Sequence, residues 1–237
     1  MIVALLTAAG KSARMGQDIP KQFIHVDNKP LIVYTMEIFQ KHPNIDAIMV
    51  VTLPLWTAVL QAYAKQFGIT KLKWVAEGGE TGQESIHNGL MELKKHLSPD
   101  DIIMIHDGNR CNVSTEIISN SLVTYNAYGS AVAAIPCVEA VFISEDDGMT
   151  ADETVPREKL FRTQTPHTYS FGKLLWAQEE AGKRGIKNSA ATCTLMKELG
   201  EEVYFSQGSE TNLKITTVDD LKIFKALLNV KQDMWIK

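Results

Sequence analysis

Three stretches of this chain carry residue types suited to polyphosphate chemistry. The first is Thr7-Ala8-Ala9-Gly10-Lys11-Ser12-Ala13-Arg14-Met15-Gly16, followed shortly by Pro20-Lys21-Gln22-Phe23. Small residues let a backbone come close to a phosphate, and Lys11, Arg14 and Lys21 are spaced to close over it. Each of these cations taken singly is an ordinary solvated charge, and it is their grouping in one loop that favours the phosphate reading. Gly10-Lys11-Ser12 is not a P-loop, because Leu5 stands where that motif needs its first glycine, and GxGxxG is absent too. The second stretch is Gly78-Gly79-Glu80-Thr81-Gly82-Gln83-Glu84-Ser85. It is either a loop that reads a base or ribose with backbone N–H groups or a plain turn with a Ser or Thr helix cap. The third is His106-Asp107-Gly108-Asn109-Arg110, where a carboxylate directly after an apolar run either holds Mg²⁺ between substrate phosphates, caps a helix or pairs with Arg110.

These stretches need elements that bring them to one place. The apolar run 2–6 predicts a buried strand ahead of the first loop, and helical spacing over 31–39 followed by a β-branched run over 45–51 predicts a helix and a second strand. A helix over 55–67, a strand over 72–76, a helix over 83–97 and a strand over 102–105 continue the alternation, and Ser114 or Thr115 caps the next helix. Alternation of this kind means a mostly parallel sheet covered on both faces, and loops following its strands share the edge where open α/β folds bind ligands. The rhythm changes after a strand over 131–136. Residues 141–144, an acidic turn at Glu145-Asp146-Asp147-Gly148 and the stretch to Arg162 lack helical period and read as an extended arm or hairpin, which needs something to pack on. Helices over 171–182 and 190–199, strands over 202–205 and 213–216, and a helix over 218–228 complete the expected order.

Composition narrows the function classes. With 237 residues, 45% hydrophobic and 22% charged, the chain is sized for one large α/β domain, and no apolar run reaches the roughly 20 residues of a membrane span. The apolar start lacks a basic n-region, so the expectation is a cytoplasmic protein without membrane contact. A net charge of −4 argues against nucleic-acid binding, and any anionic ligand must be held by local cations. Cys111, Cys137 and Cys193 lie far apart without CxxC spacing and read as buried or half-buried thiols.

Ala8-Ala9-Gly10 with Arg14-Met15, Pro20-Lys21-Gln22, Gly78-Gly79 with Ser85, His106-Asp107 with Arg110, Thr163-Gln164-Thr165-Pro166, and Asn212-Leu213-Lys214-Ile215-Thr216-Thr217 occur here in one order. Together they resemble the family of methylerythritol-phosphate and ribitol-5-phosphate cytidylyltransferases, nearly end to end. The resemblance implies a Rossmann-like α/β nucleotidyltransferase of one domain, 1–237, with a mostly parallel central sheet and a protruding dimerisation arm at about 137–162. Such an enzyme couples CTP to a polyol phosphate and releases pyrophosphate. It further implies that Arg14, Lys21 and Lys214 act on the reacting phosphates and that Ala8, Ala9, Gly10, Gly79, Ser85 and Asp107 contact the nucleotide. Asp107 holds Mg²⁺ in this picture. Arg110, Thr165 and an Arg157 reaching across a homodimer through arm exchange then bind the acceptor.

Several positions depart from the family pattern. Gly82 stands where an arginine is usual, Cys111 where proline is, and Glu139-Ala140 where an Asp-Thr pair is typical. Asn188-Ser189-Ala190-Ala191-Thr192 replaces a segment that normally carries a carboxylate near the acceptor. These losses and the stretch 212–221 incline the reading to ribitol 5-phosphate or another linear polyol phosphate, in the branch that feeds wall or capsule polymers. The methylerythritol-phosphate enzyme of isoprenoid synthesis is the alternative. A catalytically silent nucleotide-binding relative, favoured by the altered 188–192 segment, is a further one.

Overall fold

In the computed structural model, which describes residues 1–10 and 19–230, the opening apolar run forms strand β1 (Ile2–Ala8). A two-stranded ribbon, β2 (His25–Val26) and β3 (Lys29–Pro30), turns through Asp27 and Asn28 at positive φ, a conformation these short polar side chains tolerate. Then come α1 (Leu31–Lys41), β4 (Ala47–Thr52), α2 (Thr57–Gln66), β5 (Leu72–Glu77), α3 (Gly82–Leu93) and β6 (Ile102–Asp107). Helix α4 (Thr115–Tyr128) starts on Ser114, whose hydroxyl accepts from the Ile117 N–H, and stops at Gly129 in the left-handed region. Strand β7 (Ser130–Pro136) leads to the hairpin β8 (Val141–Ile143) and β9 (Glu153–Val155). Strand β10 (Phe161–Ser170), helices α5 (Phe171–Arg184) and α6 (Thr192–Glu198), strand β11 (Phe205–Gln207) and helix α7 (Val218–Asn229) follow.

Seven strands form one sheet in the order β11, β7, β10, β6, β1, β4, β5. All neighbours are parallel except β10, which runs antiparallel to both β6 and β7. Strand β1 alternates between two cores. Ala4, Leu6 and Ala8 face Ile32, Met36 and Phe39 of α1 and Ile118 of α4, whereas Val3 and Leu5 face Leu90 of α3 and Leu174 of α5. Burial on both faces is why this strand reads as a continuous apolar run rather than an alternating one. Register places Thr7 opposite both Val51 and Asp107, so the carboxyl ends of β1, β4 and β6 are level. Strand β10, running backwards, brings its first half to that same edge.

The expected α/β sheet and the arm hairpin are present, with four corrections. Strand β10 was not anticipated: Pro166 lacks the N–H an interior strand normally donates, and the ladder to β7 shifts register between Thr163 and His167. Residues 213–216 are not a strand but an extended loop, because Ile215 pairs with the β6–α4 connection, donating its N–H to Asn109 O (3.0 Å) and accepting from Asn109 Nδ2. The strand expected over 202–205 lies later, at Phe205–Gln207, and α3 stops at Leu93. Cys111 and Cys193 are buried and Cys137 half-buried, all as free thiols. Among the described residues no helix is long and apolar enough to cross a membrane.

Helix α3 lies unusually close to the sheet. A Cβ on Gly89 would sit 2.8 Å from Val51 Cγ2 and 3.1 Å from Leu5 Cδ1, so glycine here is a packing requirement. In an exposed helix Gly→Ala stabilises by about 1 kcal/mol. At this position Gly89→Ala is expected to destabilise by about 1–3 kcal/mol through overpacking, read as a lower chemical-denaturation midpoint. A midpoint that rises would show that α3 can retreat from the sheet without cost.

Candidate active site

The site is assembled on the carboxyl edge of the sheet. As β1 ends, the side chain of Gln22 donates to the carbonyl of Ala8, tying residues 19–23 to the Ala8-Ala9-Gly10 turn. A Cβ on Gly10 would lie 3.8 Å from Lys21 Cε, so the half-buried Lys21 side chain runs over that turn. Lys11, Ser12 and Arg14 fall outside the described residues. The glycine loop stacks directly on the turn: the Gly78 N–H donates to Thr52 O (2.8 Å), and any Cβ on Gly78 would overlap the Cβ of Ala9 at 2.2 Å. Of the two readings open for residues 78–85, the helix cap is present. Thr81 Oγ1 accepts from the Glu84 N–H (3.1 Å) while Glu84 accepts from the N–H groups of Thr81 and Glu80. The Ser85 hydroxyl donates to Thr81 O (2.9 Å) and accepts from the Gly79 N–H (3.1 Å), so Gly79 and Ser85 are bonded to each other within the loop.

Asp107 is the last residue of β6, not the first of the following loop, and its side chain is 16% exposed. Arg110 Nε donates to one carboxylate oxygen (2.9 Å) and Lys214 Nζ to the other (2.9 Å). The reading of Asp107 as an Arg110-paired aspartate is therefore realised, with Lys214 added from 107 residues away. Burial would push this carboxyl up, but Lys214 and Arg110 outweigh it and hold Asp107 well below the usual carboxylate range. Arg110 Nη1 also donates to Asn212 O (2.7 Å), which fixes the loop bearing Lys214.

Two buried amides, present in the sequence motifs but given no role there, hold that loop to β10. Asn212, fully buried, donates through Nδ2 to Thr165 O (2.9 Å), and Gln164 Nε2 donates to Ser209 O (2.8 Å) while its Oε1 accepts from the Ser209 N–H (3.1 Å). Their signal is weak in sequence, because an amide in a polar run gives no sign that its partner lies 45 residues further on.

Beneath the ion pairs, His106 is fully buried, and burial pushes its imidazole down to about 3. Its Nε2–H donates to Arg110 O (3.3 Å), leaving Nδ1 as acceptor, so the Thr165 hydroxyl donates to Nδ1 (2.9 Å) and accepts from the Asp107 N–H (3.0 Å). Thr165, expected to grip an acceptor phosphate, has its one hydroxyl proton committed to His106 in this arrangement and positions Asp107. Arg157 is not brought to these residues within the chain; it is exposed at the base of the arm, with Nη1 donating to Val138 O (3.1 Å).

A cavity of about 370 Å³ opens over this cluster. Thr7, Asp107, Arg110 and Lys214 line it together with His167, Gln83 and the altered segment from Ser189 to Thr192. The charges thus meet an uncharged wall that mixes hydroxyl and amide groups with the apolar side chains of Ile86, Ala190, Ala191 and Leu195. That arrangement suits a ligand with an anionic part and a neutral polar part.

The model of the 2-C-methyl-D-erythritol 4-phosphate cytidylyltransferase (IspD) family matches residues 2–230. The chain belongs to this family. It is accordingly a cytidylyltransferase, and the Rossmann-like nucleotidyltransferase fold expected from the resemblance is the one it has. A ribitol-5-phosphate cytidylyltransferase of Lacticaseibacillus paracasei is 42% identical, covering 98% of this chain and 100% of the relative. A 2-C-methyl-D-erythritol 4-phosphate cytidylyltransferase of Clostridium botulinum is 34% identical over 94% of this chain and 96% of the relative. The crystal structure of the 2-C-methyl-D-erythritol 4-phosphate cytidylyltransferase from Thermus thermophilus superposes with a TM-score of 0.75 at 27% identity, covering 97% and 100% of the two chains.

His167 is buried like His106, and burial lowers its imidazole to about 4. Both rings are therefore neutral in the folded cytidylyltransferase and take up protons near pH 6.5 once unfolded. The unfolded state binds more protons below that pH, so stability is complete above about pH 6.5 and falls as the pH drops towards 4 and then 3. Each histidine contributes on the order of 1 kcal/mol per pH unit within its window. Melting temperature measured between pH 7 and about 5.5, above the range in which ordinary carboxylates titrate, should decline, and His167→Gln should flatten the decline. A level profile for the unmodified chain would refute the neutral-histidine assignment.

Proposed function

We propose that this chain transfers CMP from CTP to ribitol 5-phosphate, or a related linear polyol phosphate, and releases pyrophosphate. The observation that carries the reading is the Asp107–Lys214–Arg110 cluster on a cavity whose other wall is neutral and carries hydroxyl and amide groups among apolar ones. Two cations around one carboxylate leave net positive charge for phosphates, while hydroxyl and amide groups are matched to a polyol chain. Greater identity to a ribitol-5-phosphate enzyme than to a methylerythritol-phosphate enzyme supports the choice of acceptor.

In this reaction a phosphate oxygen of the acceptor attacks the α-phosphorus of CTP, forming one P–O bond while the bond to the β-phosphate oxygen breaks and pyrophosphate leaves. Two anions must be held together, which is work for fixed cations rather than a protein nucleophile. Lys214, 44% exposed, exchanges Asp107 for the α-phosphate. Lys21, lying over the Ala8-Ala9-Gly10 turn, and Arg14 stabilise the charge that develops on the leaving group, and Arg110 faces the bound substrates. Gly79 and Ser85 hold the nucleotide loop in shape. Asp107 fits as one hard oxygen ligand for Mg²⁺. Among the described residues no group of three His, Cys, Asp or Glu side chains builds a cage, which suits an ion held mainly by substrate phosphates. When bound, Mg²⁺ neutralises phosphate charge.

The whole chain, 1–237, acts as one domain, and the arm at about 137–162 joins two copies. Val138, Phe142 and Ile143 on the arm are exposed apolar groups that a second protomer would cover. Arm exchange would bring Arg157 of one copy to the acceptor phosphate of the other, where its fork binds two oxygens. The enzyme works in the cytoplasm, where CTP is made.

The test is pyrophosphate release from CTP and Mg²⁺ with a panel of polyol phosphates. Ribitol 5-phosphate should be the best acceptor, and CTP binding without turnover of any acceptor would instead identify a silent relative. Lys21→Ala is expected to lower kcat at least about a hundredfold, as loss of a charge-stabilising donor does, and an unchanged rate would remove Lys21 from the reaction. Arg157→Ala should raise the acceptor KM with CTP affinity intact. Mixing it with Lys21→Ala protein should restore activity in hybrid dimers, and no recovery would sink the cross-subunit assignment.

A further inference from the structure

Besides Gln178 of α5 and the start of α6, the uncharged part of the cavity wall is made by two segments, the first turn of α3 and the end of the 185–191 loop that joins α5 to α6. They differ in how firmly they are built. Helix α3 is held by the Thr81–Glu84 capping box and by the close seat of Gly89 on Leu5 and Val51. The loop leaves α5 through Gly185 at positive φ and enters α6 at Ala191 without a side-chain cap. Ser189 Oγ donates to Glu198 Oε2 (2.7 Å), which ties the loop to α6 but not to α3.

Besides the apolar packing of Ile186 and Ile86 against one core, one side chain among the described residues makes that connection by hydrogen bonds. Gln83 donates from Nε2 to Ile186 O (2.9 Å) and accepts at Oε1 from the Ser189 N–H (2.9 Å). A single planar amide thereby bonds two backbone groups three residues apart, so it fixes both the distance and the orientation of the loop relative to α3. A carboxylate of the same size offers no donor for Ile186 O, and asparagine is one methylene short.

We propose that Gln83 is a positioning residue that sets acceptor specificity, latching the 185–191 loop against α3 so that Ser189, Ala190 and Ala191 form a fixed neutral wall. This rests on the reading that the cavity receives a polyol phosphate. The wall next to the latch is free of charge: a Cβ on Gly82 would meet nothing within 4 Å, and Ala190 and Ala191 carry only methyl groups. Open, uncharged space bordered by hydroxyls and amides fits an unbranched chain of hydroxyl groups, and its width is decided by where Gln83 holds the loop. Gln83 acts through the loop rather than on the reacting atoms, so it should affect which acceptor is held far more than how fast phosphate transfer proceeds.

The experiment compares the native enzyme, Gln83→Ala and the near-isosteric Gln83→Glu with ribitol 5-phosphate and 2-C-methyl-D-erythritol 4-phosphate as acceptors. In both variants the KM for ribitol 5-phosphate should rise about tenfold or more, as the loss of two hydrogen bonds allows, with kcat within about threefold and the KM for CTP within about twofold of native. The ratio of kcat/KM between the two acceptors should shift towards unity, a change that general loosening of the protein would not produce. Unchanged acceptor kinetics in either folded variant overturns the latch, and so does an equal rise in the KM for CTP, which would assign Gln83 to the nucleotide loop. Native enzyme that turns over neither acceptor overturns the proposed reaction and this inference with it, whereas native turnover with unaltered variants overturns the latch alone.

Discussion

Asp107 is a carboxylate with most of its surface out of water, placed at the end of a strand buried on both faces. A charge there must be compensated, and its two partners define the site. Arg110 follows three residues later and can reach back because Gly108 keeps the turn tight: a Cβ at that position would meet Ile32 Cδ1 at 2.7 Å and Thr7 O at 2.9 Å. Lys214 comes from the far end of the chain, and the loop that bears it is docked by Asn109, Gln164 and Asn212. Two cations against one carboxylate make a cluster with net positive charge in a cavity, so an arriving phosphate finds charge to pair with and no need for the protein to reorganise its backbone.

That cluster depends on strand β10 more than on any motif. If β10 continued the ladder without interruption, the backbone of Thr165 would be bonded to β7. The register shift between Thr163 and His167 frees Gln164 and Thr165 from the ladder, and both are used to hold what surrounds Asp107. The orientation of β10 matters as well. Because it runs antiparallel between β6 and β7, its irregular first half lies at the carboxyl ends of the parallel strands, while its regular second half, from His167 to Ser170, pairs with β6 and carries the Tyr169 side chain into the core. One strand therefore contributes ordinary packing at one end and site architecture at the other.

What could be read from the sequence follows from how local each signal is. Strands β1, β4 and β6 are apolar on both faces and announce themselves, and the loops after them are located as soon as the strands are. Asp107 and Arg110 are three residues apart, so their pairing was open to inspection. Strand β10 was hidden by the features that make it useful, a polar Thr163-Gln164-Thr165 run and Pro166, which contradict an interior strand. The 213–216 run has β-branched residues and looks like a strand, yet its backbone partner is Asn109, and nothing within it says so. Gln83, Gln164 and Asn212 stand inside stretches that the sequence marks, but their roles are hidden for a related reason. Amides that clasp a distant backbone have no periodicity and no fixed spacing to their partners, so only the folded chain reveals them.

The same distinction separates the two halves of the cavity. The charged half is anchored on the ends of β1, β6 and β10, with Arg110 and Lys214 on loops that buried hydrogen bonds hold to those strands. The neutral half consists of a helix start and a connecting loop, and the departures at Gly82 and at residues 190–191 face the cavity without disturbing the core behind them. A family that keeps one phosphate chemistry while accepting different polyols needs this partition, because acceptor choice can then change through loop residues at little cost in stability. The altered 188–192 segment, which on sequence alone was also grounds for suspecting a silent relative, lies wholly in the half that can vary. Its lost carboxylate therefore alters the cavity wall and leaves the compensation of Asp107 by Arg110 and Lys214 intact.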